Sequence, residues 1–347
     1  MRATNWVGDA VMSLPALRRL RAELPDVHLA VLAMPGVAGL YARERWADEI
    51  ILLEGARGAR DWGKKWKQAR TLAGAEFDAA ILLTNSFESA ALFRAAGIPT
   101  RIGYDRDARG MLLTQAIAPP RGGETPQHES YYYLELLRRA GLGGELPSGE
   151  MVIRMEGIEA ARASGKTRLA SAGLTNDAAV IGLSPGAAYG GAKRWLPERF
   201  AESAVTLAGE LGPSAAAVFG TPDERDLCEQ VTKTIAARGL PAHNFAGRTK
   251  LAEYIDMAAA CRVFLTNDSG SMHIASALGI PTVAVFGATN HVGTGPTGPL
   301  ARVVRHAVDC SPYPHPCLRR ECPIDHRCMK AVSAAEVART ALDLLEQ

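Results

Sequence analysis

The sequence lacks a long apolar run. No stretch approaches the roughly 20 apolar residues of a membrane-spanning helix, and the first residues lack the basic-then-apolar pattern of a secretion signal. We therefore expect a cytoplasmic chain. An excess of one charge is also missing, because 39 basic side chains stand against 37 acidic ones and leave a net charge of +2. That balance argues against the broad positive field of nucleic-acid-binding proteins, so no nucleic-acid partner is expected.

Several short motifs are missing as well. No G-x-G-x-x-G follows an early strand, which disfavours a nicotinamide dehydrogenase, and no G-x-x-x-x-G-K-[ST] loop is present. There is no C-x-x-C pair, although four of the six cysteines fall between Cys310 and Cys328. Cytosolic thiols stay reduced, so a disulfide framework is not expected. A structural zinc site on Cys310, Cys317, Cys322 and Cys328 remains open, but we favour no metal.

What is present is an alternation of short apolar runs with longer amphipathic stretches. This rhythm is typical of βαβ units and predicts an α/β fold with parallel sheets. The predicted strands are Leu29–Ala33, Glu49–Leu53, Asp78–Leu83, Ala179–Ser184, Ala215–Phe219, Arg262–Leu265, Thr282–Phe286 and Arg302–Arg305. A single core rarely grows beyond roughly 250–300 residues, so 347 residues predict two domains.

The domain boundaries follow from the connecting sequence. A Pro/Gly loop at 119–125 and a Gly-rich segment at 141–149 separate the two halves, with helices predicted over Glu129–Ala140 and Ile158–Ala172. We expect a first lobe over 1–160 and a second over 161–330. The remaining segment, 331–347, contains a predicted helix, Ser333–Leu345, that is a candidate to brace the first lobe.

The first block with a candidate catalytic residue is Asn5-Trp6-Val7-Gly8-Asp9. A turn at Gly8 places the carboxylate of Asp9 at a strand-to-helix junction, where α/β sheets bind ligands. Asp9 is either a catalytic carboxylate or a helix N-cap, and position alone does not separate the two. Pro15 favours the first turn of a helix, so Ser13 is a candidate for the real cap, leaving Asp9 on the preceding loop.

The second block is the glycine-rich loop 182–195, which includes Ser184 and ends at Lys193-Arg194-Trp195. Glycines let backbone N–H groups approach an anion, and Lys193 adds a full positive charge. The two adjacent cations favour a phosphate clamp over a flexible connector.

The third block, Thr266-Asn267-Asp268-Ser269-Gly270-Ser271-Met272-His273, follows a predicted strand and opens an apolar helix. Free N–H groups and the helix dipole favour a diphosphate there. The alternative is an ordinary βα turn with Asp268 as cap, in which His273 only packs. One turn into the helix, however, His273 can face the same site as Ser269. A fourth strand end, Phe219 to Glu224, carries an acid suited to ribose hydroxyls, and spacing does not choose between Asp223 and Glu224.

These blocks, in this order and over essentially the whole chain, resemble the lipopolysaccharide heptosyltransferase II family, within glycosyltransferase family 9. The resemblance rests on 6–9, on 185–187 with 193–195, and on 266–270 with 272–273. It implies a GT-B fold, two Rossmann-like lobes with an interlobe cleft, and inverting, metal-free transfer from ADP-L-glycero-D-manno-heptose without a cofactor. The implied acceptor is the first heptose of heptosyl-Kdo2-lipid A, a membrane glycolipid, which implies peripheral contact with the inner membrane.

The resemblance also assigns roles residue by residue. Asp9, after Gly8, matches the proposed general base, and Lys193 the diphosphate-binding lysine. The donor-binding positions implied are Ser184, Glu224, Asp268, Ser269, Gly270 and His273. One departure is the short sequence ahead of Asp9, so that the first strand is largely missing or begins at Met1.

Alternatives remain at two levels. Another family 9 transferase, with a different heptose acceptor or nucleotide sugar, is open because acceptor choice is expected in variable loops such as 54–66 and 104–128. A two-lobed solute-binding protein is disfavoured because such proteins are exported, whereas this sequence lacks the pattern of a secretion signal. A basic stretch with Trp62 and Trp66 is either a solvated helix face with its Trp residues on the sheet, which we favour, or a patch for an anionic glycolipid.

Overall fold

A computed structural model describes residues 1–53, 62–174 and 178–347 of the chain. It divides into two compact units, Met1–Met151 and Val152–Gln347, which places the division shortly before residue 160. No helix of the described residues is long and apolar enough to cross a membrane.

The first unit alternates helices and parallel strands. Its elements are α1 Val7–Glu23, β1 Ala30–Ala33, α2 Pro35–Tyr41, β2 Glu49–Leu52, α3 Trp62–Gly74, β3 Ala79–Leu82, α4 Phe87–Ala95, β4 Thr100–Tyr104, β5 Gln115–Ile117 and α5 Ser130–Arg139. β1 pairs with β2, and β3 pairs with β4, which pairs with β5, all in parallel.

The first three residues join these two groups of strands. Arg2 forms parallel bridges to both Leu32 of β1 and Leu82 of β3. Its N–H donates to the carbonyl of Ile81 at 2.8 Å, and the N–H of Ala3 donates to that of Leu32 at 3.0 Å. The residues ahead of Asp9 therefore lie between β1 and β3 and are bridged to both strands at Arg2.

Helix α1 differs from the sequence expectation. It begins at Val7, so Asp9 lies in its first turn, and Ser13 and Pro15 lie inside the helix. The expectation of a cap at Ser13 is therefore wrong. Proline removes one backbone donor from the helix, but the apolar face of α1, including Leu14 and Leu17, is fully buried, and that burial outweighs the lost bond.

The second unit contains one six-stranded parallel sheet in the order β11-β10-β9-β6-β7-β8. Its elements are α6 Ile158–Ser171, β6 Ala179–Ser184, α7 Pro197–Leu211, β7 Ser214–Val218, α8 Arg225–Ala236, β8 Ala242–Asn244, α9 Leu251–Ala259, β9 Val263–Asn267, α10 Gly270–Ala277, β10 Thr282–Val285, α11 His291–Thr294, β11 Ala301–Val304, α12 Arg327–Ala331 and α13 Ala334–Leu345. This order is that of a Rossmann-like sheet, and its reversal at β6 and β9 creates the position where such sheets bind ligands.

Helices cover this sheet on continuous apolar faces. α13 contributes Val337, Ala338 and Ala341 to the same buried cluster as β6, β9 and α7, so its apolar face is used within the second unit. On α6, Gly165 permits close contact with α9, since an added Cβ would lie 1.9 Å from the carbonyl oxygen of Asp256.

Candidate functional site

In the second unit, the predicted donor-site residues converge at the carboxyl ends of β6 and β9. Ser184 ends β6, and its hydroxyl donates to that of Ser271, on α10, at 3.1 Å. Asn267 ends β9, followed by Asp268 and Ser269. Strands β6 and β9 are neighbours, so residues 83 or more positions apart in sequence share one edge of the sheet.

An ion pair lies at this edge of the sheet. The Nζ of Lys193 lies 2.6 Å from Oδ2 of Asp268, and both side chains are largely buried. The hydroxyl of Thr289 donates to the same Oδ2 at 2.5 Å. Lys193 also lies over the ring of Tyr189, 4.8 Å from its centroid. Asp268 is therefore an ion-pair partner of the lysine and not the cap of α10, whose N-cap residue is Ser269.

Asn267 holds the glycine-rich loop in place. Its Nδ2 donates to the carbonyl of Pro185 at 2.7 Å, and its Oδ1 accepts from the N–H of Trp195 at 2.9 Å. One buried amide thus ties both ends of the loop that carries Lys193. Asn267 was predicted only as part of a motif, because a link across 72 residues has no local sequence signal.

The structure separates the two acids after β7. Glu224 is buried, whereas Asp223 is exposed. The Glu224 carboxylate accepts from the N–H of Thr221 at 2.9 Å and lies against Gly186, where an added Cβ would be 2.1 Å from it. Glu224 therefore neighbours the glycine-rich loop.

The N-terminus of α10 provides backbone N–H donors beside the ion pair of Lys193 and Asp268. Ser269 is its N-cap residue without a side-chain cap hydrogen bond, and Gly270 opens the helix. An eight-residue helix that presents N–H groups next to Lys193 suits a negatively charged ligand. His273, one turn further on, is buried, and its carbonyl accepts from the hydroxyl of Ser276 at 3.1 Å.

In the first unit, two acidic groups, the carboxyl group of Glu129 and the phenol of Tyr133, interact electrostatically with Asp9. Burial, and then the negative charge of Asp9, raises the pKa of Glu129, which precedes α5. Burial first, and then the charges of Asp9 and Glu129, raise the pKa of Tyr133 well above its usual value. Asp9 therefore has Glu129 and Tyr133 as electrostatic neighbours. Neither was predicted as a site residue, since Glu129 and Tyr133 lie at the start of α5, more than 100 residues from Asp9 in sequence.

The basic stretch on α3 differs from the favoured expectation for Trp66, while the side chain of Trp62 lies outside the described part of the structure. The side chain of Trp66 is 56% exposed, and Arg70 lies over its ring at 5.6 Å. Lys65 pairs with Glu88 at 2.8 Å. Trp66 therefore does not pack on the sheet. Of the loop 54–66 that was expected to help choose the acceptor, residues 54–61 lie outside the part of the chain that the structure describes.

Comparison with known proteins identifies the family that this chain matches. The model of the family described as "Glycosyltransferase family 9 (heptosyltransferase)" matches residues 65–327. Lipopolysaccharide heptosyltransferase 2 of Escherichia coli is 30% identical over 306 residues, 87% of this chain and 86% of that protein. Lipooligosaccharide heptosyltransferase 2 of Haemophilus influenzae is 29% identical over 304 residues, with the same coverage. The solved structure of E. coli ADP-heptose lps heptosyltransferase II is similar over 100% of this chain and 98% of that one, at 28% identity and a TM-score of 0.81.

Proposed function

This chain belongs to glycosyltransferase family 9, and from that premise we propose that it is the heptosyltransferase that extends the inner core of lipopolysaccharide at its first heptose. Its relatives named heptosyltransferase 2 and its structural similarity to the E. coli enzyme support heptose transfer. The expected GT-B class with Rossmann-like parallel sheets is confirmed. The donor is ADP-L-glycero-D-manno-heptose, and the acceptor is the heptosyl-Kdo2-lipid A glycolipid.

The observation that carries the donor assignment is the pair of Lys193 and Asp268 beside the N-terminus of α10. When ADP leaves, negative charge develops on its terminal phosphate. A fixed ammonium group and helix N–H donors stabilise that charge without reorganisation. We also propose that Glu224, next to the glycine-rich loop, accepts hydrogen bonds from the ribose hydroxyls.

The proposed base is Asp9. Its carboxylate takes the proton of the attacking acceptor hydroxyl, whose oxygen forms a bond to the anomeric carbon on the face opposite ADP. The bond from that carbon to the phosphate oxygen breaks, its electron pair leaves with ADP, and the configuration inverts. Each unit supplies part of this chemistry, so we expect neither to be active alone. Because the acceptor is a membrane lipid, we also propose that the enzyme works at the cytoplasmic face of the inner membrane as a peripheral protein.

A coupled assay of ADP release tests the assignment. ADP-heptose is the donor, heptosyl-Kdo2-lipid A the acceptor, and Kdo2-lipid A the control. Turnover with the first acceptor only is the expected result. Turnover with Kdo2-lipid A would instead identify an enzyme that adds the first heptose, and no turnover with either would reject the proposed substrates while leaving the family membership intact.

A further inference from the structure

A long irregular segment separates β11 from α12. Residues 305–326 contain 22 residues (326 − 305 + 1) and, throughout that described range, only an isolated bridge between Val308 and Ser311. The segment is nevertheless tied to the end of β10, since the hydroxyl of Ser311 donates to the carbonyl of Gly287 at 2.7 Å and the N–H of Leu318 donates to that of Ala288 at 2.8 Å. Irregular segments of this length in compact domains usually have a function.

Four thiols surround one small cavity at this segment. The cavity measures about 40 Å³, and its lining includes the side chains of Cys310, Cys317, Cys322 and Cys328. All four are free cysteines, and Cys328 is buried. The other two cysteines, Cys228 and Cys261, belong to the core elsewhere in the unit. A cavity of this size accommodates one metal ion with its ligands closing around it.

The surroundings of the sulfur atoms suit thiolates. The N–H of His326 donates to Sγ of Cys322 at 3.3 Å, and an N–H donor directed at a thiolate is a typical outer contact of a metal-bound cysteine. Arg319 and Arg327 also line the cavity, and Arg327 pairs with Asp325 at 3.1 Å. Arg319 would offset part of the negative charge that four thiolates and a divalent ion leave.

We propose that Cys310, Cys317, Cys322 and Cys328 bind one soft divalent metal ion, Zn²⁺ or Fe²⁺, in a structural four-thiolate site. Soft thiolate ligands in a tetrahedral set select these ions over Mg²⁺ or Ca²⁺. Within the described residues, no group of three His, Cys, Asp or Glu side chains is arranged to hold a metal ion. Metal binding would therefore require the thiols to rotate toward the cavity and to release their protons to solvent.

The metal site would support the donor site through the glycine-rich loop. The N–H of Ala192 donates to the carbonyl of Arg320 at 2.8 Å, and the N–H of Gly191 donates to the carboxylate of Glu321 at 3.0 Å. His326 contacts the carbonyl of Gly191 at 3.2 Å. These contacts all come from the cysteine segment and hold the residues immediately before Lys193. Ordering that segment with a metal would fix the position of the lysine.

Metal analysis of the full chain tests the site without reference to activity. The chain is produced in medium containing zinc and iron, purified under reducing conditions, and measured by plasma mass spectrometry. We expect about one zinc or iron ion per chain, and a several-fold lower content in Cys317→Ser and in Cys322→Ser. Cys228→Ala and Cys261→Ala are the matched controls and should keep the metal.

A spectroscopic titration covers the case in which a variant fails to fold. The wild-type chain, stripped with a chelator under reducing conditions, is titrated with Co²⁺ alone. The intense visible absorption of tetrahedral thiolate-bound cobalt, saturating at about one equivalent, is the expected result. A wild-type chain that is purified without metal and shows no such absorption would overturn the proposal, as would loss of metal from Cys261→Ala equal to that from Cys322→Ser.

Discussion

The ammonium group of Lys193 is 2.6 Å from the carboxylate of Asp268, and both side chains are more than four-fifths buried. The hydroxyl of Thr289 holds the same carboxylate oxygen. A buried pair with a third hydrogen bond keeps the lysine in one orientation before any anion binds, which is the preorganisation that charge stabilisation in a transition state requires. Substitutions at this pair therefore test the proposed donor site.

Lys193→Ala should lower kcat by about 10²–10³-fold, the usual loss when one preorganised donor to a developing anion is removed. Affinity for ADP should fall as well, because the same charge acts on the bound diphosphate. Steady-state kinetics and calorimetric titration with ADP measure the two effects. Lys233→Ala is the control, since that side chain is 76% exposed and pairs only with Glu229 on its own helix. Equal activity of the two variants would contradict the proposed role of Lys193.

A double-mutant cycle tests whether Lys193 and Asp268 act as one unit. Asp268→Asn leaves the lysine without its ionic partner, so it should reduce kcat/KM, and the double variant should lose much less than the product of the two single losses. The coupling is read from kcat/KM of the four enzymes. Multiplicative losses would mean that the two residues contribute independently.

Asp9→Asn should lower kcat by about 10²–10⁴-fold, the range supplied by a general base, while ADP binding stays unchanged. The asparagine amide has the size of the carboxylate but does not take the proton from the attacking hydroxyl of the acceptor sugar. Asp26→Asn, at an exposed position after α1, is the matched control. Retained turnover of Asp9→Asn would remove the proposed base.

Glu129→Gln should move the acid limb of the kcat/KM profile to lower pH. The charge of Asp9 helps to raise the pKa of Glu129, and Coulomb repulsion is reciprocal, so an ionised Glu129 makes Asp9 harder to ionise. Removing that negative charge favours the ionised base at lower pH. Measuring kcat/KM as a function of pH for the wild-type enzyme and for Glu129→Gln tests this prediction. A shift of the acid limb to higher pH would show that Glu129 acts in another way.

Gly165→Ala should destabilise the second unit by about 1–3 kcal/mol, the typical cost of overpacking. The added methyl would meet the Asp256 carbonyl at 1.9 Å, in the contact between α6 and α9, whereas an added Cβ at Gly209 on α7 would have nothing within 4 Å. Gly209→Ala should therefore stabilise the chain by about 0.5–1 kcal/mol through helix propensity. Urea unfolding of both variants measures the difference, and similar effects would contradict the close approach of the helices.

Most strands were predictable because they are continuous apolar runs. The predicted run Ala179–Ser184 coincides with β6, and seven others agree with observed strands to within one or two residues at each end. β4, β5 and β8 were missed, since Thr100–Tyr104, Gln115–Ile117 and Ala242–Asn244 are short or carry polar residues that weaken the apolar signal. The start of α1 was misplaced because Pro15 is a strong local signal that tertiary burial overrides.

The sequence by itself determined the parallel α/β organisation, the family, and the blocks that hold Lys193 and Asp268, because apolar periodicity and glycine-rich turns are local properties. Tertiary structure decided which of those residues meet. The ion pair joins positions 75 residues apart (268 − 193), Glu129 interacts with Asp9 from a position just before α5, and Arg2 links two groups of strands. Such contacts depend on how strands order themselves in a sheet and how helices pack on it, and no short stretch of sequence contains that information.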